Sequence, residues 1–142
     1  MAGLQKGDPR PTEIRLLTKS RILEISFDDG STFALSCEFL RVYSPSAEVR
    51  GHGPGQEVLQ TGKSAVEILE LEPVGNYAIR PRFSDGHDTG LYSWDYLYDL
   101  GKNQDALWRR YLEKMHKAGA DRQPQASAAP SAPAGKTGWQ KL

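Results

Sequence analysis

The sequence comprises 142 residues, 38% of them hydrophobic, enough for one modest core and too few for two. Lys and Arg total 18 against 18 for Asp and Glu, so no whole-chain positive field exists to draw nucleic acid or anionic lipid. The single cysteine, Cys37, excludes an intramolecular disulfide and any Cys-x-x-Cys pair, which suits a reducing compartment. The stretch MAGLQKGDPRPTEIR has no apolar run of signal-peptide length, and no later segment reaches the roughly 18 apolar residues of a membrane span. A soluble, cytoplasmic protein that binds neither membrane nor nucleic acid is expected.

Gly3, Gly7, Pro9 and Pro11 make residues 1–12 a flexible N-terminus. Leu23, Ile25 and Phe27 then alternate as one face of a strand, Asp28-Asp29-Gly30 turns the chain, and a second strand runs from Thr32 to Leu35. Ser36 caps a short helix that begins at Cys37. After it comes SPSAEVRGHGPG, residues 44–55, a glycine-rich loop without the Gly-Lys-Ser/Thr ending of a phosphate-binding loop.

A second pair of strands is predicted at Val66 to Leu71 and Tyr77 to Phe83, with Tyr77, Ile79 and Phe83 facing one way and Ala78, Arg80 and Arg82 the other. Pro81 lacks an N–H, so that strand lies at an edge or carries a bulge there. Ser84-Asp85-Gly86 turns the chain again, and Ser93 caps another helix.

The segment from Phe27 to Leu40 parallels the one from Phe83 to Leu97, with one residue inserted near His87. Leu107, Trp108, Tyr111, Leu112 and Met115 form an apolar stripe on a last helix from about Asn103 to Lys117, ended by Gly119. Arg109, Arg110, Lys114 and Lys117 cover its other side as a solvated face. Residues 120–142, rich in Ala, Pro, Gln and Ser, read as a disordered tail in which Trp139 is either a docking anchor or a bystander. The expected fold is α+β: a small β-rich domain over residues 13–119, built of two hairpin-containing, ββα-like units with a C-terminal amphipathic helix.

Chemistry concentrates in FSDGHDTGLYSW, residues 83–94, where Asp85, His87 and Asp88 could bind a metal, relay a proton or cap a turn. Cys37 reads as a small buried hydrophobe rather than a nucleophile, and Ser44 and Ser46 lack a Gly-x-Ser-x-Gly elbow. An iron oxygenase needs two His and a carboxylate on a barrel that a chain this short and strand-poor does not supply.

Leu40-Arg41 followed by SPSAEVRGHG, and then GKSAVEILELEPVGNYAIRPRFSDGHDTGLYSW over residues 62–94, resemble the bacterial stand-alone form of the gamma-butyrobetaine hydroxylase-like N-terminal domain family. In the full-length hydroxylases such a domain precedes a 2-oxoglutarate- and iron-dependent catalytic domain and carries a structural zinc held by three Cys and one His. The resemblance places the family's Leu-Arg-x-x-Cys-x-Cys-x-x-Cys pattern on Leu40, Arg41, Ser44, Ser46 and Val49, and its His on His87. All three thiolates are therefore replaced, and the zinc is expected to be lost while the loop still lies against the His87 turn. Similar domains fused to Mrp-type P-loop ATPases further imply a partner role.

The leading expectation is a non-enzymatic accessory or interaction domain, without the hydroxylases' catalytic domain, that recognises a protein partner or small ligand. Its tentative binding residues are Arg41, Ser44, Ser46, Arg50, His52, His87, Asp88 and Tyr92. No cofactor is expected. The alternative is a zinc- or iron-binding protein associated with iron-sulfur cluster handling, with His87 and His52 joined by Asp85, Asp88, Glu48 or Cys37. A third possibility is an enzyme acting through the same cluster.

Overall fold

The computed structural model describes residues 8–50 and 58–123. Two antiparallel three-stranded sheets form its frame. The first contains β1 (Pro11–Leu17), β2 (Ile22–Phe27) and β3 (Thr32–Ser36) in that order. The second contains β4 (Ile68–Val74), β5 (Ala78–Phe83) and β6 (Tyr92–Ser93). Helices α1 (Cys37–Val42) and α2 (Ala47–Arg50) follow the first sheet, and α3 (Trp94–Lys102) and α4 (Gln104–Lys117) follow the second.

The alternation in β2 buries Leu23, Ile25 and Phe27, and the register sets Leu23 opposite Leu35 and Ile25 opposite Phe33. Their faces join Phe39, Leu40, Ile68, Ile79, Phe83, Tyr92 and Leu97 in one core shared by both sheets. Each such side chain removed from water contributes about 1.5–3 kcal/mol, so the two sheets are bound by a single burial event. Gly101 of α3 lies where a Cβ would overlap the Phe33 ring, which brings that helix down onto β3.

The internal repeat is present in the backbone. Gly30 and Gly86 adopt φ of 90° and 91°, and their N–H groups donate to Phe27 O and Phe83 O at 3.1 Å each. The N–H of Asp28 donates to Arg10 O as that of Ser84 does to Glu67 O. In return, the Asp28 and Ser84 side chains accept from the N–H groups of Arg10 and Glu67. Register shifts fall between Pro11 and Glu13 in β1 and between Ile68 and Glu70 in β4. Ser36 and Ser93 each accept from the backbone three residues on, at 3.0 and 3.4 Å. The unit is therefore βββα rather than ββα, because β1 and β4 open the two halves.

Several expectations need correction. A strand begins at Pro11, inside the stretch read as a flexible N-terminus, where two prolines mask the alternation of Ile14, Arg15 and Leu16. Tyr77 does not share the buried face of Ile79 and Phe83; it is exposed at the turn, while Ala78 is buried. The second strand pair sits later than expected, and β5 becomes an edge at Pro81 because β6 pairs only with Ala78 and Ile79. In α4 the ring of Tyr111 and the side chain of Met115 are buried and Trp108 is half-buried, but Leu112 is 37% exposed at the margin of the stripe.

Gly119 ends α4 as expected, with φ +63°, and Gly119 and Ala120 return hydrogen bonds to His116 O and Met115 O. The chain then continues to make contacts beyond the boundary expected at residue 119: Asp121 O and Arg122 O accept from Gly62 N and Ser64 N at 2.8 Å each. Residues 124–142, including Trp139, lie outside the described residues, as does His52.

Candidate functional site

The loop that follows α1 folds onto the turn between β5 and β6. Ser44 Oγ lies 2.9 Å from His87 Nε2, and Ser46 Oγ lies 3.3 Å from the same nitrogen. Glu48 Oε1 stands 3.1 Å from the other ring nitrogen, Nδ1. The imidazole is 2% exposed, and burial, followed by the Arg41 guanidinium, holds its pKa below the ordinary value of 6.5, with Glu48 and Asp85 opposing in part. A neutral ring facing a carboxylate carries its proton on Nδ1, where Glu48 accepts it. Nε2 is then the acceptor for the Ser44 hydroxyl. The Ser46 N–H donates to Ser44 Oγ at 3.3 Å, and a Cβ on Gly90 would overlap that oxygen, so the site fits only glycine there.

Asp85 anchors the turn. One carboxylate oxygen accepts the His87 N–H at 3.2 Å, and the other accepts Arg41 Nε at 2.9 Å and Lys63 Nζ at 2.6 Å. Burial pushes this carboxyl up, but Lys63, the His87 N–H and Arg41 together outweigh it and hold the pKa at about 2. Arg41 is buried, and its Nη1 has no hydrogen-bond partner. Tyr92 is fully buried beneath the loop, and its hydroxyl donates to Leu40 O, closing the end of α1.

Arg41, Ser44, Ser46, His87 and Tyr92 are thus brought together, with Asp85 and Glu48. Ser44 and Tyr92 lie inside, however, at 1% and 0% exposure. Arg50 is exposed at the rim, its guanidinium 5.3 Å from the Tyr96 ring centroid. Asp88 points elsewhere, into a cleft of about 360 Å³ beside the cross-strand pairs Glu70–Arg82 and Glu72–Arg80. Lys63 was not anticipated, because its tie to Asp85 crosses 22 residues and leaves no local pattern.

Ser44, His87 and Glu48 stand in the order of a hydrolytic triad. The hydroxyl is buried, and the contacts form a clasp between loop and turn. The zinc implied by the resemblance does not fit this donor set. Two positions carry hydroxyls, and the third carries the buried isopropyl group of Val49. The 2.9 Å contact between Ser44 and Nε2 is also closer than the roughly 3.6 Å between nitrogen and sulfur donors on one tetrahedral zinc. Among the described residues no three His, Cys, Asp or Glu side chains converge to hold a metal, and Cys37 is buried in the core, with burial raising its thiol pKa. No described helix is long and apolar enough to cross a membrane.

Comparison with known proteins agrees with this fold. Two solution structures determined by NMR resemble it: one at 53% identity with a TM-score of 0.72, covering 92% of this chain and 98% of that one, the other at 43% identity and 0.73, covering 89% and 100%. A crystal structure of a protein of unknown function from Acidithiobacillus ferrooxidans ATCC 23270, assigned to the DUF971 family, matches at 42% identity and a TM-score of 0.55, covering 65% of this chain and 92% of its own. No curated protein matches. The family model described as gamma-butyrobetaine hydroxylase-like, N-terminal, matches residues 14–98, which span both sheets, the clasp and most of α3. By that match the chain belongs to the gamma-butyrobetaine hydroxylase-like N-terminal domain family.

Proposed function

We propose that the chain is a non-enzymatic accessory domain that recognises a protein partner or small ligand and works without a resident metal. The observation that carries this reading is the inward orientation of the polar cluster. Its two hydroxyls facing His87, on Ser44 and Ser46, are 1% and 6% exposed, whereas Glu48 and Arg50 remain exposed beside the fixed base made by Arg41, Asp85 and His87. Buried, mutually satisfied polar groups rigidify the segments they join, and a rigid base lowers the cost of ordering a recognition surface.

Affinity capture from the native host, with the wild type and a Glu48→Ala/Arg50→Ala variant, tests the proposal. A partner retained by the wild type and lost with the variant is expected. Identical captures would contradict it, as would covalent labelling of Ser44 by a fluorophosphonate.

A further inference from the structure

Glu38 lies in the first turn of α1 with its side chain 7% exposed, a burial that a carboxylate tolerates only when paired. Its partner is Arg122, from the far end of the described chain. Arg122 Nε donates to Glu38 Oε2 and Nη2 to Oε1, both at 2.8 Å, a two-pronged fit of guanidinium to carboxylate. The Tyr111 hydroxyl donates to Oε2 at 2.9 Å, and the face of Trp108 lies 5.2 Å from the guanidinium carbon. On either side, the N–H groups of Gly62 and Ser64 take the backbone carbonyls of Asp121 and Arg122.

These groups have the composition of an arginine receptor: a buried acid, an aromatic platform and two backbone donors that hold consecutive carbonyls of a bent segment, in which the Gln123 N–H turns back to the Asp121 side chain. The Arg122 side chain is itself 41% exposed, so the recess opens to solvent.

We infer that the recess formed by Glu38, Trp108, Tyr111 and the Gly62–Ser64 backbone is a binding site for an arginine carried on a short, bent peptide segment, filled in this chain by its own Arg122. A lysine would present one point charge and no planar face, losing the two-pronged fork and the stacking on the ring. Because Arg122 is tethered, it competes at an effective concentration on the order of millimolar, and a partner's arginine must displace it. This site is separate from the His87 clasp and does not rest on the function proposed above.

The test uses the full chain carrying Arg122→Ala, titrated with the acetylated and amidated tetrapeptide Ala-Asp-Arg-Gln and followed by amide and indole NMR shifts. Saturable shifts at the Trp108 indole and at Gly62 and Ser64 are expected. Binding of a lysine-containing analogue should be weaker by about tenfold or more. Binding to the wild type should be weaker by a similar factor because the site is already filled, and Glu38→Gln in the Arg122→Ala background should abolish it. If Arg122→Ala does not fold, Arg122→Lys keeps the charge and is read in the same way. Absence of saturable shifts, equal affinity for the lysine analogue, or equal affinity of the wild type would each overturn the inference.

Discussion

Ser44 Oγ and His87 Nε2 lie 2.9 Å apart although 43 residues separate them in the chain, and this contact closes the loop after α1 onto the turn after β5. Truncating the hydroxyl leaves the buried imidazole nitrogen with only the longer contact from Ser46. Ser44→Ala should therefore lower stability by about 1–3 kcal/mol, read from urea denaturation. A loss under about 0.5 would show that the clasp contributes little.

Gly90 offers a steric check on the same site. A Cβ there overlaps the Ser44 hydroxyl, so Gly90→Ala should cost about 1–3 kcal/mol by overpacking. In a Ser44→Gly background the same substitution should cost clearly less, because the opposing atom is gone. Additive losses would mean that the two residues do not meet.

Two groups of the clasp make stability depend on pH. His87 has a depressed pKa in the fold, so the unfolded chain binds its proton more readily, and stability should fall as pH drops below about 6.5. Asp85 is also depressed, to about 2 from 3.8, so its contribution is present above 3.8 and is lost as pH falls toward 2. Urea midpoints measured from pH 7 to 3 should show both declines. His87→Gln should flatten the first and keep the second, and an unchanged first limb would refute the role of His87.

Trp108 and Leu112 share the predicted stripe on α4 but not its burial. Trp108 packs at 5.1 Å from the Tyr111 ring and 6.3 Å from that of Phe39. As a half-buried ring it should cost about 2–3 kcal/mol when replaced by Ala, below the 3–5 of a fully enclosed one. Leu112→Ala should cost under about 1 kcal/mol. Thermal melts of both variants, compared with the wild type, distinguish this order from a stripe buried along its whole width.

Local pattern made the β2–β3 hairpin, both Ser caps and α4 legible, because alternation, Asp-Gly turns and helical spacing are properties of neighbouring residues. It missed β1, where Pro9 and Pro11 obscure a short alternation. It also misplaced Tyr77, since a turn residue follows no strand face. The approach of Ser44 and Ser46 to His87 was legible only through the family's ligand pattern. Long-range ion pairs were not legible at all: Glu38 and Arg122 are 84 residues apart, and the composition of residues 120–142 pointed away from any contact. Asp88 is adjacent to His87 in sequence and lines a different surface, the cleft beside β4 and β5.

Hydrogen bonds from Ser44 and Ser46 to His87 hold the loop of residues 44–50 against the His87 turn. Ring nitrogen-15 shifts of His87 in the untagged chain, recorded before and after one equivalent of zinc, test whether those bonds act without a metal. A neutral ring protonated on Nδ1 is expected, with Nε2 as acceptor and both signals unmoved by zinc. A zinc-dependent shift of Nε2, with stoichiometric metal retained after desalting, would contradict it.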